Sequence, residues 1–165
     1  MDINRFWTLI DAARQAGGTN PDARVEALAD ALGPLPAAEL QSFQNQYDAR
    51  LREAYRWDLW GAAYVIGGGC SDDGFRYFRD WLISEGRAVF EAALANPESL
   101  ADLPPIDDAG NELFGYVAVE MFEQAGGADT GMERDFSTEM VEPAGKPWEE
   151  GELDALYPRL SRLYG

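Results

Sequence analysis

An all-α fold is the reading these 165 residues support, and three observations carry it. Apolar residues return at intervals of three and four along most of the chain, the period of one buried helix face. Capping residues stand directly before several of these stretches, and glycine or proline directly after them. The one stretch that also reads as a strand, Tyr116–Met121, lies between a capping Asn111 and Gly126-Gly127, and those flanks favour helix. The expectation is one compact domain over residues 1–165, with about six or seven helices and an irregular acidic segment near 126–151.

Asp2 is placed to cap a first helix over about residues 3–16, because its carboxylate can accept from the free N–H groups of the first turn. Phe6, Leu9, Ile10 and Ala13 form its buried stripe, and Gly17-Gly18 ends it. Asn20 caps a second helix with Pro21 at its first position, where the missing N–H costs nothing, and Gly33 follows its end. A third helix, about 37–55, carries Leu40, Phe43, Tyr47, Leu51, Ala54 and Tyr55 along one side. Arg56-Trp57-Asp58 marks a bend. The helical period resumes through Trp57, Trp60 and Tyr64 until Gly67-Gly68-Gly69, whose backbone entropy is too costly for a helix interior.

Ser71 caps the next helix, about 72–84, with Asp72 and Asp73 in its first turn and Phe75, Phe78, Trp81 and Leu82 as its stripe. Asp72/Arg76 and Arg76/Asp80 are i,i+4 pairs expected to support it by about 0.2–0.5 kcal/mol each. A short helix follows Gly86 and stops near Asn96-Pro97. Residues 97–110 read as loop. Asn111 caps a helix over about 112–125, and the tail carries an amphipathic pattern that Pro158 interrupts.

The charge excludes more than it establishes. Thirty acids face 13 Lys+Arg, a formal net of −17. Residues 97–154 hold 16 of the acids against Arg134 and Lys146, a net of −14, so the excess belongs to one part of the chain. Such a chain lacks the phosphate-neutralising charge of a nucleic-acid binder. There is no histidine, which removes Ser–His–Asp and Cys–His chemistry and histidine zinc sites. A single cysteine makes no internal disulfide. No apolar run approaches the length of a membrane span, and the N-terminus has no signal-peptide pattern, so the expectation is a cytoplasmic protein without membrane contact.

Residues 55–81 concentrate the aromatics: Tyr55, Trp57, Trp60, Tyr64, Phe75, Tyr77, Phe78 and Trp81. Read structurally, they are the core of a helical hairpin turned by the three glycines. Read functionally, they rim a ligand or partner pocket made of Arg56, Trp57, Asp58, Trp60, Ser71, Asp72 and Asp73. Gly67–Ser71 before a helix superficially resembles a phosphate cradle. The P-loop pattern and lysine are missing, and two aspartates would repel the phosphate. Cys70 lacks a base and reads as a small buried hydrophobe. Asp107–Glu112 is only a faint calcium loop, without the ligand spacing. No catalytic residue, metal ligand or cofactor site is assigned.

The segment AYRWDLWGAAYVIGGGCSDDGFRYFRDWLI (54–83) resembles a bacterial domain-of-unknown-function family, number 4240. The opening Arg5-Phe6-Trp7 with Leu9-Ile10-Asp11 is similar to that family's start. Glu142-Pro143-Ala144-Gly145-Lys146-Pro147-Trp148 and Leu156-Tyr157-Pro158-Arg159-Leu160 are similar to its end. The resemblance implies one intact domain and brings no activity, cofactor or catalytic residue with it. Two function classes therefore stand. The first is a non-enzymatic module that binds a basic protein partner through the acidic surface of 97–154. The second is a small-molecule-binding domain or carboxylate-dependent enzyme with its pocket near Trp57, Asp58, Asp72 and Asp73. The oligomeric state is open.

Overall fold

A computed structural model describes residues 1–129 and 131–165. Among them the secondary structure is helical throughout: α1 (Ile3–Gly17), α2 (Pro21–Leu32), α3 (Ala37–Glu53), α4 (Trp57–Gly67), α5 (Asp72–Ser84), α6 (Arg87–Ala95), α7 (Val117–Gln124), α8 (Leu153–Leu156) and α9 (Pro158–Tyr164). Short 3-10 turns connect several of them. The all-α reading stands, and the seven helices of eight or more residues, α1 to α7, match the expected count.

The caps operate as their chemistry requires. The Asp2 carboxylate accepts from the N–H groups of Asn4 and Arg5 at 2.9 and 3.0 Å. Asn20 Oδ1 accepts from Ala23 N, and Ser71 Oγ from Gly74 N, both at 3.1 Å. Each replaces water on an otherwise unpaired N–H, at about 1 kcal/mol. Gly68, at φ 64°, closes α4 in the left-handed region.

The core runs as a line of rings from helix to helix. Phe90 of α6 meets Trp7 of α1 at 5.2 Å, and Trp7 meets Phe6 at 5.1 Å. Phe6 meets Phe43 of α3 at 5.0 Å, and Tyr47, one turn on, faces Phe114 at 6.4 Å. All six rings are buried. Burying each is worth about 1.5–3 kcal/mol before the cost of ordering it.

α5 departs from the amphipathic reading. Phe75, Phe78, Arg79, Asp80, Trp81, Leu82, Ile83 and Ser84 are all buried, so from Phe78 onward the helix is covered on every side, while Asp72 and Asp73 at its start stay exposed. Helices α1, α3, α4 and α6 and the turn before α7 pack around it. Asp80 is 2% exposed and held by Tyr47 Oη at 2.8 Å and Arg76 Nε at 3.3 Å. Of the two expected i,i+4 pairs on this helix, only Arg76–Asp80 is formed among the described residues.

The helix expected over 112–125 begins instead as a 3-10 turn, Glu112–Tyr116, before α7. Gly115 explains the tightening: a Cβ there would lie 2.7 Å from Asp80 Oδ1, so the turn wraps closely over the buried carboxylate.

Candidate functional site

The aromatic residues of 55–81 build a wall. Trp57 and Trp60 stack at 5.3 Å and 9°, and Trp60 stacks on Phe75 of α5 at 4.9 Å and 9°. Tyr55 continues the stack against Phe75 at 6.0 Å. Trp60 Nε1 donates to Cys70 O at 3.0 Å, which ties the glycine turn to α4. Such stacking adds about 0.5–1.5 kcal/mol per pair beyond burial. Trp148 meets Trp57 edge-on at 6.1 Å and donates its Nε1–H to Trp57 O at 2.7 Å.

The seven residues expected to form one pocket are divided among separate clefts. Arg56 and Asp58 pair with each other, and Arg56 Nη1 donates to Leu94 O at 2.9 Å. Both line a cleft of about 280 Å³ with Lys146, Trp148 and Tyr157. Ser71 caps α5 and lines a shallow cleft beside Cys70 and Tyr77. Trp60, Asp72 and Asp73 line a third, of about 590 Å³, against Tyr55, Arg76, Arg79, Glu139, Val141 and Glu142. Trp57 is half-buried between Trp60 and Trp148. A single site centred on Trp57, Asp58, Asp72 and Asp73 is therefore not assembled, because each group is committed to its own local partner or cleft.

Cys70 is half-buried, and burial pushes its thiol up to about 11, against a lowering contact from Trp60. It stays a thiol near neutral pH and is a poor nucleophile. Among the described residues no group of three or more Asp, Glu or Cys is placed to hold a metal ion. No helix among them is long and apolar enough to cross a membrane.

The segment that reads as irregular keeps no regular structure beyond short 3-10 turns among the described residues, and it is fastened along α3. Gln41 exchanges hydrogen bonds with the backbone N and O of Glu133, each at 2.9 Å. Asp48, 3% exposed, accepts from Arg134 Nε at 3.1 and 3.2 Å and from Asp135 N at 2.9 Å. Arg52 pairs with Asp135, and Tyr55 Oη donates to Val141 O at 3.2 Å. The strap ends where Ala144 N donates to Tyr55 O at 3.0 Å and Trp57 N donates to Ala144 O at 2.9 Å. Gln41, Asp48 and Arg52 recur at helical spacing, so one polar row of α3, with Tyr55 just past its end, holds residues 133–144.

With its backbone held inward, the strap turns side chains outward. Phe136 is 50% exposed, Val141 59% and Met140 89%. Glu133, Glu139 and Glu142 stand exposed among them and enter no ion pair among the described residues. Across 97–154 the only carboxylates in ion pairs are Asp102, with Arg159, and Asp135, with Arg52, again among the described residues. Sequence reasoning missed Gln41, Asp48 and Arg52 as the strap's anchors and Arg79 as a wall of the 590 Å³ cleft. Asp48 carried one signal, its place on the Phe43–Tyr47–Leu51 side of α3.

The family described as "Protein of unknown function (DUF4240)" matches residues 1–124, which span α1 to α7. No curated protein and no solved structure matches the chain.

Proposed function

We propose that this chain, which belongs to the DUF4240 family, is a protein-interaction module whose acidic strap takes a basic, amphipathic partner segment. One observation carries the reading: Phe136, Met140 and Val141 are exposed in the same ten residues as Glu133, Glu139 and Glu142. Exposed apolar side chains ringed by one sign of charge mark protein contact surfaces. The carboxylates steer a cationic partner and reject acidic ones, and the apolar groups supply the buried contact. The wider excess of carboxylate over 97–154 extends the same field.

The test is capture from lysate of the source cells by the immobilised full chain, at low salt and at 1 M salt, where screening reaches about 3 Å. The account expects a retained protein rich in Lys and Arg, released by salt and lost by a Glu133→Lys, Phe136→Ser, Met140→Ser variant. Equal retention by that variant, or retention indifferent to salt, refutes it.

A second reading, a small-molecule site, is favoured by the cleft between the strap and α5 and by the arginine in its wall.

A further inference from the structure

Arg79 is 5% exposed and enters none of the ion pairs among the described residues. Its Nη1 donates to Leu51 O at 2.9 Å and its Nε to Phe75 O at 3.4 Å, which leaves Nη2 without an acceptor among those residues. The guanidinium lies 4.7 Å from the Tyr55 ring centre and 5.0 Å from that of Phe75, in the wall of the 590 Å³ cleft. Cation–π contact offsets part of the desolvation cost, but a buried charge ordinarily finds a counter-ion. Asp80, next in sequence, does not serve, since it is bonded to Tyr47 and Arg76. Burial, then the repulsion of Arg76, pulls Arg79 down to about 10, so it remains a cation at neutral pH.

Arg76 lines the same cleft and spends only its Nε on Asp80, so two guanidinium groups offer N–H donors there. The remaining lining is Tyr55, Trp60, Phe75 and Val141, with Thr138 and the carboxylates of Asp72, Asp73, Glu139 and Glu142. This layout constrains the occupant. A bare dianion would meet four carboxylates. A simple cation would leave Arg79 uncompensated. A carboxylate suits the planar fork of arginine, and a flat body suits the stacked rings. From Asp72 to Arg76 is four residues and from Asp73 to Arg79 six, so the charged ends are about 6–9 Å apart along α5.

We propose that this cleft binds a small zwitterion with a flat apolar body, its carboxylate on Arg79 and Arg76 and its cationic end on Asp72 and Asp73. The cleft shares Glu139, Val141 and Glu142 with the strap, but Glu133, Phe136 and Met140 do not line it.

The full chain is titrated with 4-(aminomethyl)benzoate, followed by calorimetry and tryptophan fluorescence, with 4-methylbenzoate and benzylamine as single-ended controls. The zwitterion is expected to bind roughly tenfold or more tighter than either control, the worth of one charged hydrogen-bonded end. Arg79→Lys should weaken it by about the same factor. Asp72→Asn with Asp73→Asn, both at exposed positions, should bring it to the level of 4-methylbenzoate. Absence of binding at millimolar concentration, benzylamine binding as tightly as the zwitterion, or no loss in the Asp72→Asn, Asp73→Asn variant would each overturn the proposal. Glu133→Lys, Phe136→Ser, Met140→Ser should leave this binding intact, which separates its failure from failure of the partner reading.

Discussion

Asp80→Asn should make the chain less sensitive to rising pH. In the fold, burial raises the Asp80 carboxyl from the ordinary 3.8 to about 6, against the opposing pull of Arg76 and the Tyr47 hydroxyl. A native pKa above the unfolded one means that the fold binds the proton more tightly. The stabilisation is therefore complete below about pH 4 and is lost as pH rises through 6. The rise to about 6 corresponds to roughly 3 kcal/mol in all, about half of which falls between pH 5 and pH 8. That upper half is the accessible one, since the isoelectric point lies near 4.1 and solubility falls there. Asparagine keeps an acceptor for Tyr47 and carries no charge to desolvate. Urea unfolding of wild type and Asp80→Asn at pH 5, 6, 7 and 8 reads the difference directly. Wild type should lose on the order of 1 kcal/mol relative to the variant across that range. A constant difference, or one that moves in favour of wild type as pH rises, would refute the reasoning.

Three further outcomes follow from the packing. Arg134→Ala removes the principal counter-ion of buried Asp48, which leaves that carboxylate with Gln44 Nε2 and Asp135 N. The expected loss is about 3 kcal/mol, with faster proteolysis between residues 131 and 142 than elsewhere. Gly61→Ala puts a Cβ 2.5 Å from the Tyr157 hydroxyl, which donates to Asp58 O at 2.6 Å. It should cost about 1–3 kcal/mol, with hydrogen exchange accelerated first in residues 153–164. Cys70, with its thiol pushed up to about 11, should react with iodoacetamide at pH 8 about a hundredfold more slowly than an exposed cysteine.

The local grammar of the helices was legible in the residues. Asp2, Asn20-Pro21 and Ser71 announced helix starts because a cap needs only its own next turn. The environment of α5 was less so. Asp72, Arg76 and Asp80 read only as i,i+4 pairs, and nothing in their spacing set Arg79 apart. Only the packing of four other helices around it shows Arg79 and Asp80 to be inside. The strap was illegible for a similar reason. It has no period of its own, and its order comes from Gln41, Asp48 and Arg52, more than eighty residues earlier in the chain. The aromatic cluster was located correctly, but its division was not foreseeable. Whether Trp57 and Trp60 rim a pocket or stack into a wall depends on ring orientations that spacing does not specify.

The measurement closest to the central claim is hydrogen exchange of the full chain, alone and with its captured basic partner, at low salt. The account predicts slowed exchange concentrated in residues 133–142, abolished by Glu133→Lys, Phe136→Ser, Met140→Ser. Protection placed instead on α1 and α2, with 133–142 unchanged, would contradict it.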